Sequence, residues 1–276
     1  MKLDEMRESI SIVVPSLNSA KTIAMTLLSL RAQAGCSPRI IVADSGSEDG
    51  TLEICKKFDV KTIYVAPGNM YAAINEGLRQ CDSEWLGYLN SDDVLYPKSL
   101  YKLFCLGKSS NASIVYGACD YIDEEGRFLY SMRPAKPMIL LPMFRVGVWG
   151  FAQQAVIYRR KVYEGISGFN EIYKYCADVD FFWRALEAEF RFASLRASTV
   201  ACFRLHRGQI SQKNAKDMEI EKRLIITQHR ARPNIHDHFA FLKWRLQNGI
   251  QYLIRIMRRY ELQRKITLPR SLDSPD

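Results

Sequence analysis

The sequence predicts an α/β fold in which a mostly parallel sheet is flanked by helices and followed by a helical C-terminal extension. Short, continuous apolar runs of strand length alternate with segments whose apolar residues recur at helical spacing. The connections between them are a few residues long, which favours parallel strands covered by helices on both faces. The chain has 276 residues, 47% of them hydrophobic, and can therefore form one large core.

Strands and helices alternate most regularly up to residue 110. Apolar, β-branched runs at residues 11–15 and 39–43 predict strands buried on both faces, and a third and a fourth strand are predicted at residues 61–65 and 85–89. Helical periodicity predicts helices after each of these strands, at residues 19–34, 50–58, 71–81 and 97–106. We expect Ser19 or Asn18 to cap the first helix and Asp49 to cap the second.

The pattern is looser after residue 110. Further strands are predicted at residues 113–121, 128–132 and 154–158. Residues 190–203 read as a strand pair or as one extended run. A Pro-rich connection is expected at residues 134–142, and helices are expected at residues 178–188 and from about residue 214.

Positive charge is concentrated near the C-terminus. Residues 216–265 contain 12 Lys or Arg and 5 Asp or Glu, a net charge of +7 out of +9 for the whole chain. The first 200 residues are therefore nearly neutral, which argues against a protein that binds nucleic acid over its surface. We expect no nucleic acid partner and a separate partner for the basic tail.

The cysteines and the N-terminal residues indicate the cellular compartment in which the protein is expected. The seven cysteines are scattered and form no CxxC pair, which is typical of a reducing environment. Residues 1–9 are charged and lack an apolar segment, so we expect no signal peptide. No window of about 18 residues is apolar and uncharged, so we expect no transmembrane helix. The expected location is the cytoplasm.

The segments that follow the predicted strands are polar, small or acidic: residues 15–18, 44–47, 66–69 and 90–93. Because ligands of parallel sheets bind outside the carboxyl ends of the strands, we expect these segments to form one site. Asp92 and Asp93 are adjacent carboxylates, which repel each other unless a cation lies between them and a ligand. Their hard oxygens suit Mg²⁺ or Mn²⁺ bridging to phosphate, although a solvated acidic turn has the same pattern.

Two other acidic residues are functional candidates, Asp44 for nucleotide binding and Asp178 for catalysis. The Asp44 carboxylate can accept hydrogen bonds from a base or a ribose, or it belongs to a plain strand-to-helix turn. No GxGxxG motif follows the first strand, which argues against a dinucleotide-binding dehydrogenase. Asp178 opens a helix, where it is either a general base or an acid favoured by the helix dipole. We expect Asp180 to pair with Arg184.

Six segments occur in the order found in one enzyme family: residues 11–18, 42–51, 71–77, 89–93, 168–171 and 177–180. On these motifs the chain resembles a family 2 glycosyltransferase of the GT-A fold, which has a Rossmann-like sheet. It is most similar to the branch that makes bacterial surface polysaccharides. The resemblance implies a GT-A domain at residues 1–212, followed by a basic helical extension at residues 213–276. Within the domain, residues 1–110 would bind the nucleotide sugar and residues 111–212 the acceptor.

The resemblance also implies roles for individual residues. It assigns nucleotide-sugar binding to seven residues: Pro15, Leu17, Asn18, Asp44, Asn75, Asn90 and Asp93. Asp92 would bind Mn²⁺ or Mg²⁺ on the diphosphate, with His206 as a further metal or phosphate contact, although a lone His is more often structural. Asp178 would be the base that takes a proton from the acceptor hydroxyl as it attacks C1 of the donor sugar and inverts the anomeric centre.

Three positions depart from the family pattern. Asn90 replaces the first acid of the Asp-x-Asp motif, so weaker metal binding is expected, and Ala72 replaces an Asp. Ala177 replaces a Glu beside the base, which bears on acceptor binding. Candidates for acceptor contacts are aromatic or polar residues: Tyr71, Trp149, Gln153 and Gln154. Tyr and Trp stack on sugar rings, but they are also common in cores.

The predicted C-terminal helix is basic and amphipathic. Between residues 239 and 264, apolar residues recur at positions 242, 246, 250, 253, 257 and 260, with basic residues between them. Such a helix can lie on the inner, anionic face of a membrane, which would make the protein peripheral. Alternatively, it packs on the catalytic domain and leaves a basic face in solvent.

The sequence therefore predicts a metal-dependent inverting glycosyltransferase. It would move a sugar from a nucleotide-diphosphate sugar, with a UDP-sugar as the first expectation, to a sugar or lipid-linked sugar acceptor. The setting would be synthesis of bacterial surface polysaccharide or glycolipid. A nucleotidyltransferase would need a basic Gly-rich loop after the first strand, which is absent. The remaining alternative is a non-catalytic nucleotide-sugar-binding subunit of a glycan assembly complex, which Asn90 and Ala177 favour.

Overall fold

The computed structural model describes residues 10–206, 208–209 and 213–257. The strands in these residues are β1 (Ile10–Ser16), β2 (Arg39–Asp44), β3 (Lys61–Tyr64), β4 (Trp85–Tyr88), β5 (Val94–Leu95), β6 (Ile114–Ile122), β7 (Phe128–Met132), β8 (Val156–Arg159) and β9 (Phe192–Arg204). The helices are α1 (Ile23–Arg31), α2 (Thr51–Lys57), α3 (Met70–Arg79), α4 (Ser99–Ser110), α5 (Leu140–Arg145), α6 (Arg160–Gly165), α7 (Ala177–Glu187), α8 (Ala215–Gln228) and α9 (Ile235–Met257). The segment for which we expected no signal peptide, residues 1–9, lies outside the described residues.

One sheet contains all of these strands, in the order β3-β2-β1-β4-β8-β6-β9-β5, with β7 paired to β6. The run β3-β2-β1-β4 is parallel, as helical crossovers between successive strands require. In the second half, β8 lies antiparallel between β4 and β6, whereas β6 and β9 pair in parallel. The α/β class and the helix-flanked sheet are therefore confirmed.

Apolar cores lie on both faces of the sheet. In β1, Val13 packs on the face covered by α3 and α7, and Ile12 and Val14 pack on the face covered by α1 and α4. Successive side chains of a strand point to opposite faces, so a strand covered on both sides needs the continuous apolar run that the sequence contains. Gly77 lets α3 approach β1 closely, because a Cβ there would lie 2.6 Å from Cγ1 of Val13.

Two predicted helix starts are wrong. The first helix begins at Ile23 with Thr22 as its N-cap, because the hydroxyl of Ser19 instead meets Ser91 Oγ at 2.7 Å. In the second, Gly50 occupies the N-cap with φ +92°, a left-handed value that glycine adopts readily. Asp49 still accepts a hydrogen bond from the N–H of Thr51 at 3.2 Å.

Three short elements were not predicted: β5, α5 and α6. β5 has two residues, which is too short for a periodic signal. α5 forms inside the predicted Pro-rich connection, where Pro142 is tolerated because it lies in the first turn of the helix. The predicted extended run at residues 190–203 is one long strand, β9, whose register with β6 shifts near Ala118.

The helix α9 packs on the rest of the domain. Trp244 Nε1 and Asn248 Nδ2 donate to the carbonyl oxygen of Arg133, at 3.1 Å and 3.2 Å. Its opposite side leaves five apolar side chains at least half exposed: Ile235, Phe239, Leu242, Leu246 and Leu253. The helix therefore packs on the domain, yet an apolar stripe faces solvent. The predicted continuation to residue 264 passes beyond the described residues.

None of the helices in the described ranges is long and apolar enough to span a bilayer.

Candidate functional site

A cavity of about 870 Å³ opens where the predicted strand-end segments meet. It is lined by residues 15–19, Ser45, residues 68–71 and residues 90–92, together with residues of α7 and α8. All four predicted strand ends therefore contribute to it. Its volume lies within the range of small-molecule sites, about 300–1,000 Å³.

Asn18 joins the loops after β1 and β2. Its backbone N–H donates to Ser47 Oγ at 2.8 Å, and its Oδ1 accepts from the N–H of Glu48 at 3.0 Å. Its φ of +50° is a left-handed value that Asn tolerates better than most residues. Pro15 and Leu17 line the cavity beside it, and Leu17 is 52% exposed. This wall therefore has an apolar surface next to polar groups, which suits the flat ring of a nucleotide base.

Asp44 ends β2 beneath the loop and does not line the cavity. Its carboxylate accepts hydrogen bonds from Gly46 N at 3.0 Å, Ser47 N at 2.8 Å and Ser47 Oγ at 2.6 Å. Only 2% of the residue is exposed. The neighbouring Ser45 lines the cavity instead. A contact between Asp44 and a nucleotide base would require these internal hydrogen bonds to be exchanged.

Asp92 and His206 meet in the cavity wall. Asp92 Oδ2 lies 2.8 Å from His206 Nε2, although 114 residues separate them in the sequence. Among the described residues, no group of three or more His, Cys, Asp or Glu side chains is arranged to hold a metal ion. Mg²⁺ is commonly held by one or two carboxylates plus substrate phosphates. Asp92 and His206 are therefore the two side chains available for the predicted cation, and the cation itself stays a prediction.

Asp93 lies behind Asp92 and is completely buried. Its Oδ1 accepts from the backbone N–H of Arg204 at 2.9 Å, and its Oδ2 accepts from Asn90 Nδ2 at 3.2 Å. Burial, together with the nearby charge of Asp92, raises the pKa of Asp93 well above its usual range. Asp93 therefore supports the loop of Asp92 by tying it to β9, and it does not line the cavity in which a contact with the donor sugar would be made.

Three polar atoms of the cavity wall are buried without a hydrogen-bond partner among the described residues: Ser16 Oγ, Asn90 Oδ1 and Gln209 Oε1. An unsatisfied buried polar atom costs about 1–3 kcal/mol, so such atoms indicate where a polar ligand would bond. Asn90 is adjacent to the Asp92–His206 pair. Its free oxygen could accept a hydrogen bond from a ribose hydroxyl or a metal-bound water.

Asp178 lies in the first turn of α7 and lines the cavity. The hydroxyl of Tyr71 donates to Asp178 Oδ1 at 2.9 Å. Burial raises the pKa of Asp178, while hydrogen bonds, that of Tyr71 first, and the charge of Lys222 act in the opposite direction. Tyr71 was predicted to contact an acceptor. Tyr71 lines the cavity beside Asp178, but its side chain is almost completely buried, with its ring stacked 5.7 Å from that of Phe169.

If Asp178 is the predicted base, replacing Tyr71 with Phe should move the acid limb of the pH–rate profile to higher pH. The Tyr71 hydroxyl stabilises the ionised carboxylate, so its loss raises the pKa of Asp178 further. A base works only when it is ionised, so activity should disappear at a higher pH on acidification. The measurement is the rate as a function of pH, with Tyr64→Phe, an exposed tyrosine of β3, as the matched control. An acid limb that coincides with that of wild type would contradict the assignment.

The other acceptor candidates line the cavity but also belong to its supporting core. Trp149 packs edge-on against Phe144 and Trp183, with ring centroids 5.0 Å and 6.4 Å away. Gln153 Nε2 donates to the carbonyl oxygen of Tyr88 at 2.8 Å. The Trp149 side chain is only partly buried, which leaves aromatic surface for a sugar ring.

Asn75 does not line the cavity, but joins α3 to the turn before α7. Its Nδ2 donates to Phe169 O at 2.8 Å, and its Oδ1 accepts from Phe169 N at 3.0 Å. Arg184 Nη2 donates to Gly168 O in the same turn at 2.7 Å, and the predicted Asp180–Arg184 pair forms at 2.7 Å. Asn75 therefore holds this turn on α3, and it does not line the cavity in which its predicted contact with the nucleotide sugar would be made.

One wall of the cavity was missed by sequence reasoning. Asn214, Met218 and Lys222 line it, on and just before α8. Their spacing of four residues places them on one face of a helix, which is the signal that could have identified them. The sequence interpretation treated everything after residue 212 as an extension, so this face was not assigned to the site.

Known proteins resemble the chain in sequence. The family model described as "Glycosyl transferase family 2" matches residues 11–167, more than half of the chain. An uncharacterized glycosyltransferase of Rickettsia bellii is 27% identical over 207 residues, which are 70% of this chain and 29% of that protein. One of Rickettsia typhi is 26% identical over 197 residues, 67% of this chain and 61% of that protein. The chain thus spans less than two thirds of the length of these relatives.

A further relative is the PGL/p-HBAD biosynthesis glycosyltransferase of Mycobacterium bovis, which is 27% identical over 186 residues, 62% of this chain and 67% of that protein. Among solved structures, S. aureus TarS 1-349 in complex with UDP-GlcNAc has a TM-score of 0.64 at 18% identity and covers 94% of this chain and 76% of its own. The mannosyltransferase PcManGT from Pyrobaculum calidifontis, in complex with GDP-Man and Mn²⁺, has a TM-score of 0.56 at 14% identity, with coverage of 94% and 88%. These likenesses concern the fold, which is of the predicted GT-A type. Because the family match spans the parallel half of the sheet and the strand-end loops that line the cavity, the chain belongs to glycosyl transferase family 2.

Proposed function

We propose that this chain is an inverting glycosyltransferase that moves a sugar from a nucleotide-diphosphate sugar, a UDP-sugar in the first place, to an acceptor hydroxyl. The observation that carries the proposal is that one cavity contains both the Asp92–His206 pair and the Asp178–Tyr71 pair. The first pair suits the diphosphate of a donor, and the second suits the hydroxyl of an acceptor. The UDP-GlcNAc bound to TarS supports a UDP-sugar as the first donor to test.

The residues divide the chemistry between them. Asp178 takes the proton of the acceptor hydroxyl while its oxygen forms a bond to C1 of the sugar and the bond from C1 to the diphosphate breaks. Attack on the face opposite the leaving group inverts the anomeric centre. Asp92 and His206 would hold Mn²⁺ or Mg²⁺, which when bound offsets the charge of the departing diphosphate. Tyr71 holds the carboxylate of Asp178 in place.

The name of one relative supports a biosynthetic setting. The mycobacterial relative is named for PGL/p-HBAD biosynthesis, which supports a role in assembling a glycolipid or polysaccharide. We propose a sugar or a lipid-linked sugar as the acceptor, bound on the side of the cavity formed by Trp149 and α8.

Calorimetric titration with UDP-, GDP-, dTDP- and CMP-sugars, each with Mn²⁺ or with EDTA, tests the donor half of the proposal. We expect one nucleotide class, UDP first, to bind with the cation present. The control ligand is the corresponding nucleoside diphosphate without the sugar, which should compete with the nucleotide sugar for the same cavity. The absence of binding by every nucleotide sugar would contradict the proposed function.

We also propose that the apolar stripe of α9, formed by Ile235, Phe239, Leu242, Leu246 and Leu253, rests on an anionic membrane surface. Lys243 and Arg245 lie beside the stripe on the helix, where their charges can reach lipid headgroups while the apolar side chains enter the interface. This placement would hold the domain at the surface in which a lipid-linked acceptor would be anchored.

Leu246→Glu is expected to weaken binding to anionic vesicles about tenfold or more, because burial of a leucine side chain is worth about 1.5–3 kcal/mol. Co-sedimentation with phosphatidylcholine vesicles, with and without phosphatidylglycerol, measures the effect. Leu52→Glu, at an exposed leucine of α2, is the matched control and should bind as wild type does. Equal losses in the two variants, or no binding by wild type, would contradict this proposal.

A further inference from the structure

The carboxylate of Glu221, on α8, lies against the turn that precedes α7. Its Oε1 accepts a hydrogen bond from the N–H of Lys174 at 2.8 Å. Its Oε2 accepts from the N–H groups of Tyr175 and Cys176, at 2.9 Å and 3.0 Å. Three successive backbone donors are therefore satisfied by one charged group, and charge-assisted hydrogen bonds are stronger than neutral ones.

This turn determines where the base lies. Cys176 is the N-cap of α7 and makes no side-chain capping bond, and Glu221, from another helix, accepts hydrogen bonds from the N–H groups of this residue and of the two residues before it. Asp178 follows two residues later. The hydroxyl of Tyr71 lies 3.2 Å from Tyr175 O and 2.9 Å from Asp178 Oδ1, so the turn and the base share one partner.

Glu221 acts from outside the cavity. It is not among the residues that line the cavity, whereas its neighbours Met218 and Lys222 on the same helix are. A change at Glu221 should therefore leave the donor contacts intact and alter only the placement of the turn. A second contact holds the same turn, because Cys176 Sγ lies 3.7 Å from the carbonyl oxygen of Met218.

We propose that Glu221 is a positioning residue for Asp178, so that the C-terminal helix α8 completes the reaction centre instead of serving as an appendage. The inference rests on the proposed function, since it assumes that Asp178 is the base. It assigns an influence on turnover to α8, which the sequence predicts as part of an extension outside the GT-A domain.

The test compares Glu221→Gln with Glu219→Gln, whose carboxylate is exposed two residues earlier on the same helix and pairs with Arg223. We expect Glu221→Gln to lower kcat by up to about 100-fold, the scale of a 1 Å misplacement of a reacting group. The donor Kd measured by calorimetry should stay as in wild type, and the melting temperature should fall by only about 2–4 °C per kcal/mol of lost hydrogen bonding, so that the variant stays folded at the assay temperature. Glu219→Gln should match wild type in all three, and Glu221→Asp should recover part of kcat.

A double-mutant cycle distinguishes positioning from general stabilisation. Because Glu221 and Tyr71 act on the same turn, Tyr71→Phe combined with Glu221→Gln should cost less than the product of the two single losses. Equal kcat in Glu221→Gln and wild type would overturn the proposal. So would a loss of donor affinity that parallels the loss of kcat, or a variant that is no longer folded at the assay temperature, because Glu221 would then only stabilise the fold. If wild type itself transfers no sugar, the proposed function fails, and not merely the role of Glu221.

Discussion

The Asp178→Asn variant should bind the donor as tightly as wild type and transfer sugar about 10²–10⁴-fold more slowly, the range that a general base contributes. Asparagine has nearly the same shape as aspartate, but its amide cannot take a proton from the acceptor hydroxyl. Tyr71 can still donate to the amide oxygen, so the local structure should persist. The measurement is kcat for transfer together with the donor Kd by calorimetry.

The matched control for this prediction is Asp82→Asn. Asp82 pairs with Arg39 on the surface and is far more exposed than Asp178. It should transfer sugar at the rate of wild type. If Asp178→Asn also keeps the rate of wild type, Asp178 is not the base. If wild type binds the donor but never turns it over, the alternative of a non-catalytic binding subunit gains support instead.

The Asp92→Ala variant should lose about 100-fold or more in cation-dependent donor affinity, because metal coordination contributes several kcal/mol of stabilisation. The variant removes one half of the Asp92–His206 pair. Its donor Kd should also become insensitive to EDTA, whereas the Kd of wild type should rise when the cation is removed. Calorimetric titration with and without EDTA gives both numbers.

Asp82→Ala, again at the surface, should retain the donor affinity of wild type and its dependence on the cation. The proposed metal role would be contradicted if Asp92→Ala bound the donor normally, or if EDTA weakened binding equally in wild type and variant. His206→Ala should show a smaller loss in the same direction, since a neutral imidazole contributes less charge than a carboxylate.

The sequence was most informative where local patterning and tertiary structure agree. The parallel strands could be predicted because a strand covered on both faces must be apolar throughout, as residues 11–15 and 39–43 are. The strand ends then located the cavity, since topology alone brings the loop of Asn18 to the loop of Asp92. The family resemblance identified Asp178 as the candidate base. The local sequence pattern alone is equally consistent with an ordinary acidic residue at the start of a helix.

The sequence was least informative about which polar side chains point into the cavity. Asp44, Asn75 and Asp93 all belong to motifs, yet each is bonded inside the protein and none lines the cavity. Nothing in a motif distinguishes a residue that shapes a loop from one that touches a ligand. Glu221 was missed because its partners lie more than 40 residues away in the sequence. Such contacts depend on how α8 packs, which periodicity does not specify.

Hydrolysis of nucleotide sugars is the measurement that tests a nucleotide-sugar transfer site in this cavity most directly. Wild type, Asp92→Ala and Asp178→Asn would be compared on UDP-, GDP-, dTDP- and CMP-sugars with Mn²⁺, Mg²⁺ or EDTA. We expect slow, cation-dependent hydrolysis of one donor by wild type, with the released sugar inverted at C1, and loss of that activity in both variants. A released sugar with retained configuration would contradict the inverting mechanism. The absence of both hydrolysis and binding for every donor would contradict the glycosyltransferase site itself.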